Sequence, residues 1–159
     1  RPHAAVPGAA GAEERDMYEI SIRDVMQHRG IVKLPPEATV RRAVRSMAVR
    51  ETGAVLVVDH GRLVGIFTER DAVVRVLARD LDAARTRLAD VMTSDPRTIG
   101  PERTFGHALS VMHDHHIRHL PVVAAGRIVG MVSARSALDP DLEQFRAETR
   151  RRESLSTGR

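Results

Sequence analysis

The chain has no cysteine and no tryptophan, which excludes disulfides, thiol catalysis and cysteine-based metal sites. Aromatic residues are scarce: Tyr18, Phe67, Phe105 and Phe145 are the full set. That is too few to build a stacking platform for nucleic-acid bases. No apolar run approaches the roughly 18 residues of a membrane-spanning helix. The N-terminal residues 1–16 lack the charged-then-apolar layout of a secretory signal. There is no Gly-rich phosphate loop, no Ser-His-Asp set with its supporting motifs, and no carboxylate pair in a recognisable setting. A non-catalytic, cytoplasmic chain with no required cofactor and no membrane partner is the expectation.

What is present begins with charge. The 25 basic residues stand against 21 acidic ones, and Lys33 is the sole lysine. Arginine stays protonated throughout the relevant range, so a sequence pI near 10.8 accompanies a net charge of only +4. Acids interleave with bases along the chain, and the one basic run is Arg150-Arg151-Arg152. Both features disfavour nucleic acid as the main partner. Residues 1–19 are rich in Ala, Gly and Pro and read as a flexible tail.

The dominant signal is an internal repeat. Asp24-Val25-Met26 recurs as Asp90-Val91-Met92 at an offset of 66. From there the offset is 65, pairing Pro36 with Pro101, Thr39 with Thr104, Ala43 with Ala108 and Met47 with Met112. The register continues through Val57-Val58 with Val122-Val123, Gly61 with Gly126, and Val64-Gly65 with Val129-Gly130. In each copy a Thr cap precedes a helix with an i, i+3, i+4, i+7 apolar stripe, Val40, Ala43, Val44 and Met47 in the first. A hairpin follows, Ala54–Val58 and Leu63–Thr68 around His60-Gly61, then Leu120–Val123 and Ile128–Ser133 around Gly126. A second helix is predicted over Asp71–Arg79, and a short one over Ala134–Leu138. Extended segments are predicted at Ile31–Leu34 and Arg97–Ile99. The fold class is therefore α/β, a β-α-β-β-α unit written twice, over residues 20–80 and 81–138. Each unit is too small to bury its sheet face alone, so the two are expected to pack sheet on sheet with pseudo-twofold symmetry. Residues 139–159 read as a polar helix, opened by Pro140 and running over 141–152, with a tail.

Thr68-Glu69-Arg70-Asp71 lies at a strand-to-helix junction, where free helix N–H groups favour an anion. The same T-x-x-D spacing is also a capping box that merely starts a helix, and on the residues alone that reading leads. His113, His115, His116 and His119 cluster around Asp114. His115 and His119 have metal-ligand helical spacing, but Pro121 and the strand follow closely, so no metal is expected. Met26, Val74, Leu77 and Met112 are expected to be exposed and to serve a dimer contact.

The ordered set Asp-Val-Met, Val-Val, Leu-Val-Gly-Ile-Phe-Thr-Glu-Arg-Asp (63–71), Ile-Arg-His-Leu-Pro-Val-Val (117–123) and Gly-Arg-Ile-Val-Gly-Met-Val-Ser (126–133) resembles the cystathionine-β-synthase (CBS) domain. The likeness covers about Ile20 to Leu138 and includes the tandem arrangement, a Bateman module. It implies a regulatory CBS-domain pair that dimerises and takes an adenosine-based ligand, AMP, ADP or ATP foremost, with an effector protein as a further partner. By that resemblance Thr68 and Asp71 clamp phosphate and ribose, facing Ile117, Arg118 and His119 of the other repeat, with Arg97 nearby. The second site would be Ser133 and Ser136 facing Thr52, Gly53 and Ala54, with Val32. It lacks the ribose-binding acid and any cation, so it is expected to be degenerate. A ligand-free dimerisation scaffold is the alternative, and an RNA-binding protein a third reading.

Overall fold

The computed structural model describes residues 19–137. The expected tail over residues 1–19, all but its last residue, and the expected helix over 141–152 lie outside them. Element α1 is Ile22–Val25, followed by β1 (Val32–Leu34), α2 (Val40–Arg50), β2 (Ala54–Asp59) and β3 (Arg62–Thr68). A helical segment then opens as α3 (Glu69–Asp71), passes through a π turn (Ala72–Val76) and closes as a 3-10 turn (Leu77–Arg79). The second half contributes α4 (Leu88–Val91), β4 (Thr93–Ser94), α5 (Phe105–Asp114), β5 (His119–Ala124), β6 (Arg127–Ser133) and a 3-10 turn (Ala134–Ala137).

Both long helices begin as the Thr caps require. The Thr39 hydroxyl accepts from Arg42 N, and the Thr104 hydroxyl accepts from His107 N. Both hairpins close on two residues with positive φ, His60 (46°) with Gly61 (78°) and Ala125 (48°) with Gly126 (73°). Two successive left-handed residues give the type I′ turn, whose twist matches that of paired strands. Each hairpin also shifts register at the same place, between Val57 and Val58 and between Val122 and Val123.

The first sheet runs β1-β2-β3-β4, with β1 parallel to β2 and the other pairs antiparallel. The second is the β5-β6 hairpin, flanked by single bridges, Ile99 to Val122 and Gln27 to Met131. The extended segment expected at Arg97–Ile99 is thus reduced to one residue. Ile99 N donates to the Pro121 carbonyl, and Ile99 O accepts from Val123 N. Pro121 has no N–H to offer a neighbouring strand.

The units of packing cross the repeat boundary. Leu88, Val91 and Met92, which precede the second repeat's helix, pack in the first core with Val40, Met47, Val55 and Phe67. Ile22, Val25 and Met26, which precede the first, pack in the second core with Phe105, Met112, Leu120 and Val132. Each Asp-Val-Met segment is therefore an arm that completes the other repeat. The backbone bonds agree: Leu88 N donates to Ala38 O and Ala89 N to Pro36 O, while Arg23 N donates to Pro101 O and Phe105 N to Ile20 O. The arms also explain a glycine in the middle of each inner strand. A Cβ on Gly65 would fall inside the van der Waals surface of Met92 Sδ, and one on Gly130 would lie 2.6 Å from Met26 Sδ. Only glycine admits the thioether so close.

These contacts correct the expectation that Met26 and Met112 are exposed. They are 7% and 3% accessible, because each fills a core. Val74 and Leu77 are exposed, as is Val73. A third apolar cluster joins the halves, with Ala54, Leu56 and Ile66 of the first sheet against Met131 of the second. It puts the hairpins face to face, as the small size of each repeat requires.

Candidate functional site

Strand β3 ends at Thr68, where the chain turns into α3. The T-x-x-D box is fully formed there. The Thr68 hydroxyl accepts from Asp71 N at 3.3 Å, and Asp71 Oδ2 accepts from Thr68 N and from the Thr68 hydroxyl, both at 2.9 Å. Asp71 Oδ1 faces Arg75 Nε at 3.2 Å. Arg75 then donates to the Val91 carbonyl at 2.9 Å and to the Thr93 hydroxyl at 3.1 Å. Asp71 is thereby tied through one guanidinium to the arm that the second repeat contributes. The box thus caps the helix with every one of its expected hydrogen bonds.

The equivalent junction in the second repeat has the same geometry with weaker chemistry. Ser136 Oγ accepts from Ser133 N at 3.2 Å and lies 3.4 Å from Ser133 Oγ. A hydroxyl stands where the first repeat has a carboxylate, and Ser136 is buried.

Each junction is pinned to the segment entering its own hairpin. Glu69 N donates to Gly53 O at 3.1 Å, and Ala134 N donates to Arg118 O at 3.0 Å. Thr68 is the cross-strand partner of Ala54, and Ser133 that of His119. The halves meet through His119, whose ring comes within 3.1–3.2 Å of where a Gly53 Cβ would stand, with Glu69 Oε2 at 3.3 Å from the same point. Glycine at position 53 therefore lets the imidazole approach the Thr68–Asp71 junction. Thr68, Glu69, Gly53, Ala54 and His119 form one locus drawn from both repeats.

Burial drives the His119 pKa below its ordinary value, because a buried imidazolium loses its hydration. Glu69 pulls it back up, while Arg118 and Arg135 push it further down. The neutral form of His119 is favoured, with two cations and one carboxylate within electrostatic reach. Glu69 and Arg135 were not singled out in the sequence. The available signal was that each lies inside the x-x of its T-x-x-D or S-x-x-S box.

The other expected residues lie as follows. The Arg118 side chain is exposed beside His119, and Ile117 packs against the second core. Arg97 is exposed two residues before the Ile99 bridge and makes no side-chain hydrogen bond among the described residues. Thr52 is buried, its hydroxyl 3.5 Å from the Ala54 carbonyl. Val32 pairs with Val55 on the edge strand β1. The histidine cluster is dispersed: α5 ends at Asp114, His115 caps it, His116 takes φ +52° and His119 starts β5. Among the described residues no group of three or more His, Asp or Glu side chains is placed to hold a metal ion.

Comparison with known proteins gives a consistent picture. Residues 22–78 and 88–140 match the CBS domain. The chain is 31% identical over 153 residues to the mitochondrial CBS domain-containing protein CBSX3 of Arabidopsis thaliana, covering 89% of this chain and 74% of that protein. Among solved structures, a protein with CBS domains from Burkholderia ambifaria superposes with a TM-score of 0.73 at 27% identity, covering 78% of this chain and 95% of that one. CBS domain protein PAE2072 from Pyrobaculum aerophilum, solved in complex with AMP, gives 0.67 at 29% identity, covering 74% and 89%.

Proposed function

The chain belongs to the CBS-domain family, and on that premise we propose that it is a cytoplasmic, non-catalytic sensor that binds one adenine nucleotide per chain at the junction of its repeats. The observation that carries this reading is the convergence of Thr68, Asp71 and the Gly53-Ala54 segment with His119 from the other repeat. The AMP complex of PAE2072 supports the ligand class.

The chemistry follows from lone-pair counting. A carboxylate offers about four acceptor sites, and Asp71 has committed three, to Thr68 N, the Thr68 hydroxyl and Arg75. One is open to a ribose hydroxyl. A second opens when the Thr68 hydroxyl turns its proton from Asp71 to a phosphate oxygen. The box that caps the helix becomes a ribose–phosphate clamp by rotating one O–H. Arg118 and Arg97 supply the cationic side for phosphate, His119 a ring N–H, and Ile117 an apolar contact for adenine. A neutral His119 donates one N–H, and an arriving phosphate favours its second proton. The second junction, Ser133 with Ser136, has no carboxylate to hold a ribose and is left weak or empty.

The chain works as a dimer in this reading, through the exposed Val73, Val74 and Leu77 on the helical segment after β3, and passes ligand occupancy to an effector protein. No helix among the described residues is long and apolar enough to cross a membrane. A ligand-free scaffold is the second reading, favoured by one observation: Asp71 is already well satisfied by the fold. Isothermal calorimetry with AMP, ADP and ATP separates them. One binding event per chain, lost in Asp71→Ala, supports the sensor. No heat with any adenosine compound leaves the scaffold.

A further inference from the structure

A groove of about 720 Å3 lies away from the Thr68–Asp71 junction, between β1 and α2. Its walls carry Lys33 from the strand and Arg41, Arg42, Arg45 and Arg50 from the helix. All five are exposed, and among the described residues none forms a salt bridge or a side-chain hydrogen bond. No acidic side chain lines the groove. In sequence these cations are interleaved with apolar residues. On the helix, Arg42, Arg45 and Val49 fall on one stripe, beside the buried stripe of Val40, Ala43 and Met47.

The second repeat is an internal control. It builds the same helix and hairpin, yet the residues at the 65-residue offset are Thr98, Gly106, His107, Ser110 and His115. The fold does not need the five cations, so their accumulation on one repeat is not a requirement of packing. The other wall is equally specific. β1 is an edge strand whose sole partner is β2, so alternate N–H and C=O groups along its outer side stand open. Arg41 to Arg50 spans about 13 Å at the helical rise of about 1.5 Å per residue. Four residues of extended peptide cover the same length at about 3.3 Å each. An open strand edge facing an arginine stripe suits a ligand that has both a peptide backbone and carboxylates. No aromatic side chain is there to stack a nucleic-acid base.

We propose that this groove binds an acidic, extended peptide segment of a partner protein, which adds to the edge of β1 and presents its carboxylates to Arg42, Arg45 and their neighbours. The partner attachment point thus lies on the first repeat alone and shares no residue with the Thr68–Asp71 nucleotide site, Val32 being the one residue in common with the expected second site.

The test is fluorescence anisotropy at low salt, with a labelled Glu-Thr-Glu-Thr-Glu-Thr-Glu peptide titrated against the full chain. Saturable binding is expected. The double variant Arg42→Glu/Arg45→Glu should weaken it tenfold or more, with circular dichroism and melting temperature unchanged because both side chains are exposed. Arg103→Glu, outside the groove, should leave it within twofold. A peptide of the same charge N-methylated at alternate residues, in both registers, should bind at least tenfold more weakly in one register. Absence of binding, indifference to the double variant, or equal affinity for both N-methylated peptides would overturn the proposal. So would tighter binding of a single-stranded oligonucleotide of equal charge, which would make the groove a phosphate site.

Discussion

Replacing Gly130 by alanine tests the crossing of the arms. Glycine in a strand interior is ordinarily a weakness, and alanine there should gain up to about 1 kcal/mol from backbone entropy. Here the new Cβ would sit 2.6 Å from Met26 Sδ and 3.2 Å from the Gln27 carbonyl. Met26 is 7% accessible and held in the second core, so the thioether must leave a filled position or the arm must lift. Overpacking of that kind costs about 1–3 kcal/mol, which leaves a net loss between about 0 and 3 kcal/mol. Met26→Ala alone should cost about 2–5 kcal/mol through lost packing and a cavity. The double variant is the informative one. With the sulfur gone, the Cβ meets only the Gln27 carbonyl and partly fills the void. The combined loss should therefore fall short of the sum by about 1 kcal/mol or more. Urea unfolding followed by circular dichroism, with a fixed m-value, measures all four proteins. Additivity within about 0.5 kcal/mol, the usual behaviour of sites with no contact, would refute the placement of Met26 on the second repeat.

Asp71→Ala should weaken AMP binding tenfold or more by calorimetry, since one charge-assisted hydrogen bond contributes about 1.5–3 kcal/mol and tenfold needs about 1.4. It should also lower the melting temperature by a few degrees, because the cap of α3 goes with it. Arg118→Ala should harm AMP binding more than adenosine binding, as it removes a phosphate contact and leaves the ribose clamp. The depressed pKa of His119 makes an unfolded imidazole the better base. Stability should be full above about pH 6.5, fall as pH drops below that value, and level off below the folded pKa. His119→Gln should flatten that slope in melting curves between pH 7.5 and 5, and a slope unchanged in the variant would refute it. Light scattering at tens of micromolar should give the mass of a dimer; a monomer would remove the proposed role of Val73, Val74 and Leu77.

The repeat was legible because one register runs through caps, helices and hairpins alike. Thr39 and Thr104, Gly61 and Gly126 each do locally what their residue type dictates. The exchange of arms was not legible, because an offset says which copy a segment belongs to and not which core it enters. The sole trace was the change from 66 to 65 between Met26 and Pro36, where the chain crosses from one core to the other. Reading Met26 and Met112 as exposed followed from the same blindness. A methionine on a helix face announces an apolar contact without naming its partner. At the site, T-x-x-D was ambiguous in sequence because capping and ligand binding ask for the same atoms, and the structure has those atoms capping. His119 was chosen for its neighbours in sequence, but its approach to Gly53 depends on how the sheets stack. The arginines of α2 were hidden by interleaving: in sequence they are diluted, and helical winding gathers them.

The crossed arms bear on how such a molecule can come apart. One repeat taken alone would carry an arm with no core to enter and a core with no arm to close it. Two copies of that half would satisfy each other by the same contacts that join the halves here, with each methionine seated on its neighbour's strand glycine. The pseudo-twofold axis inside this chain is thus equivalent to the axis of a reciprocal dimer whose subunits have been joined end to end. The join converts a concentration-dependent assembly into a unimolecular one. It also leaves no point between the repeats at which the chain could be cut into two pieces that fold separately.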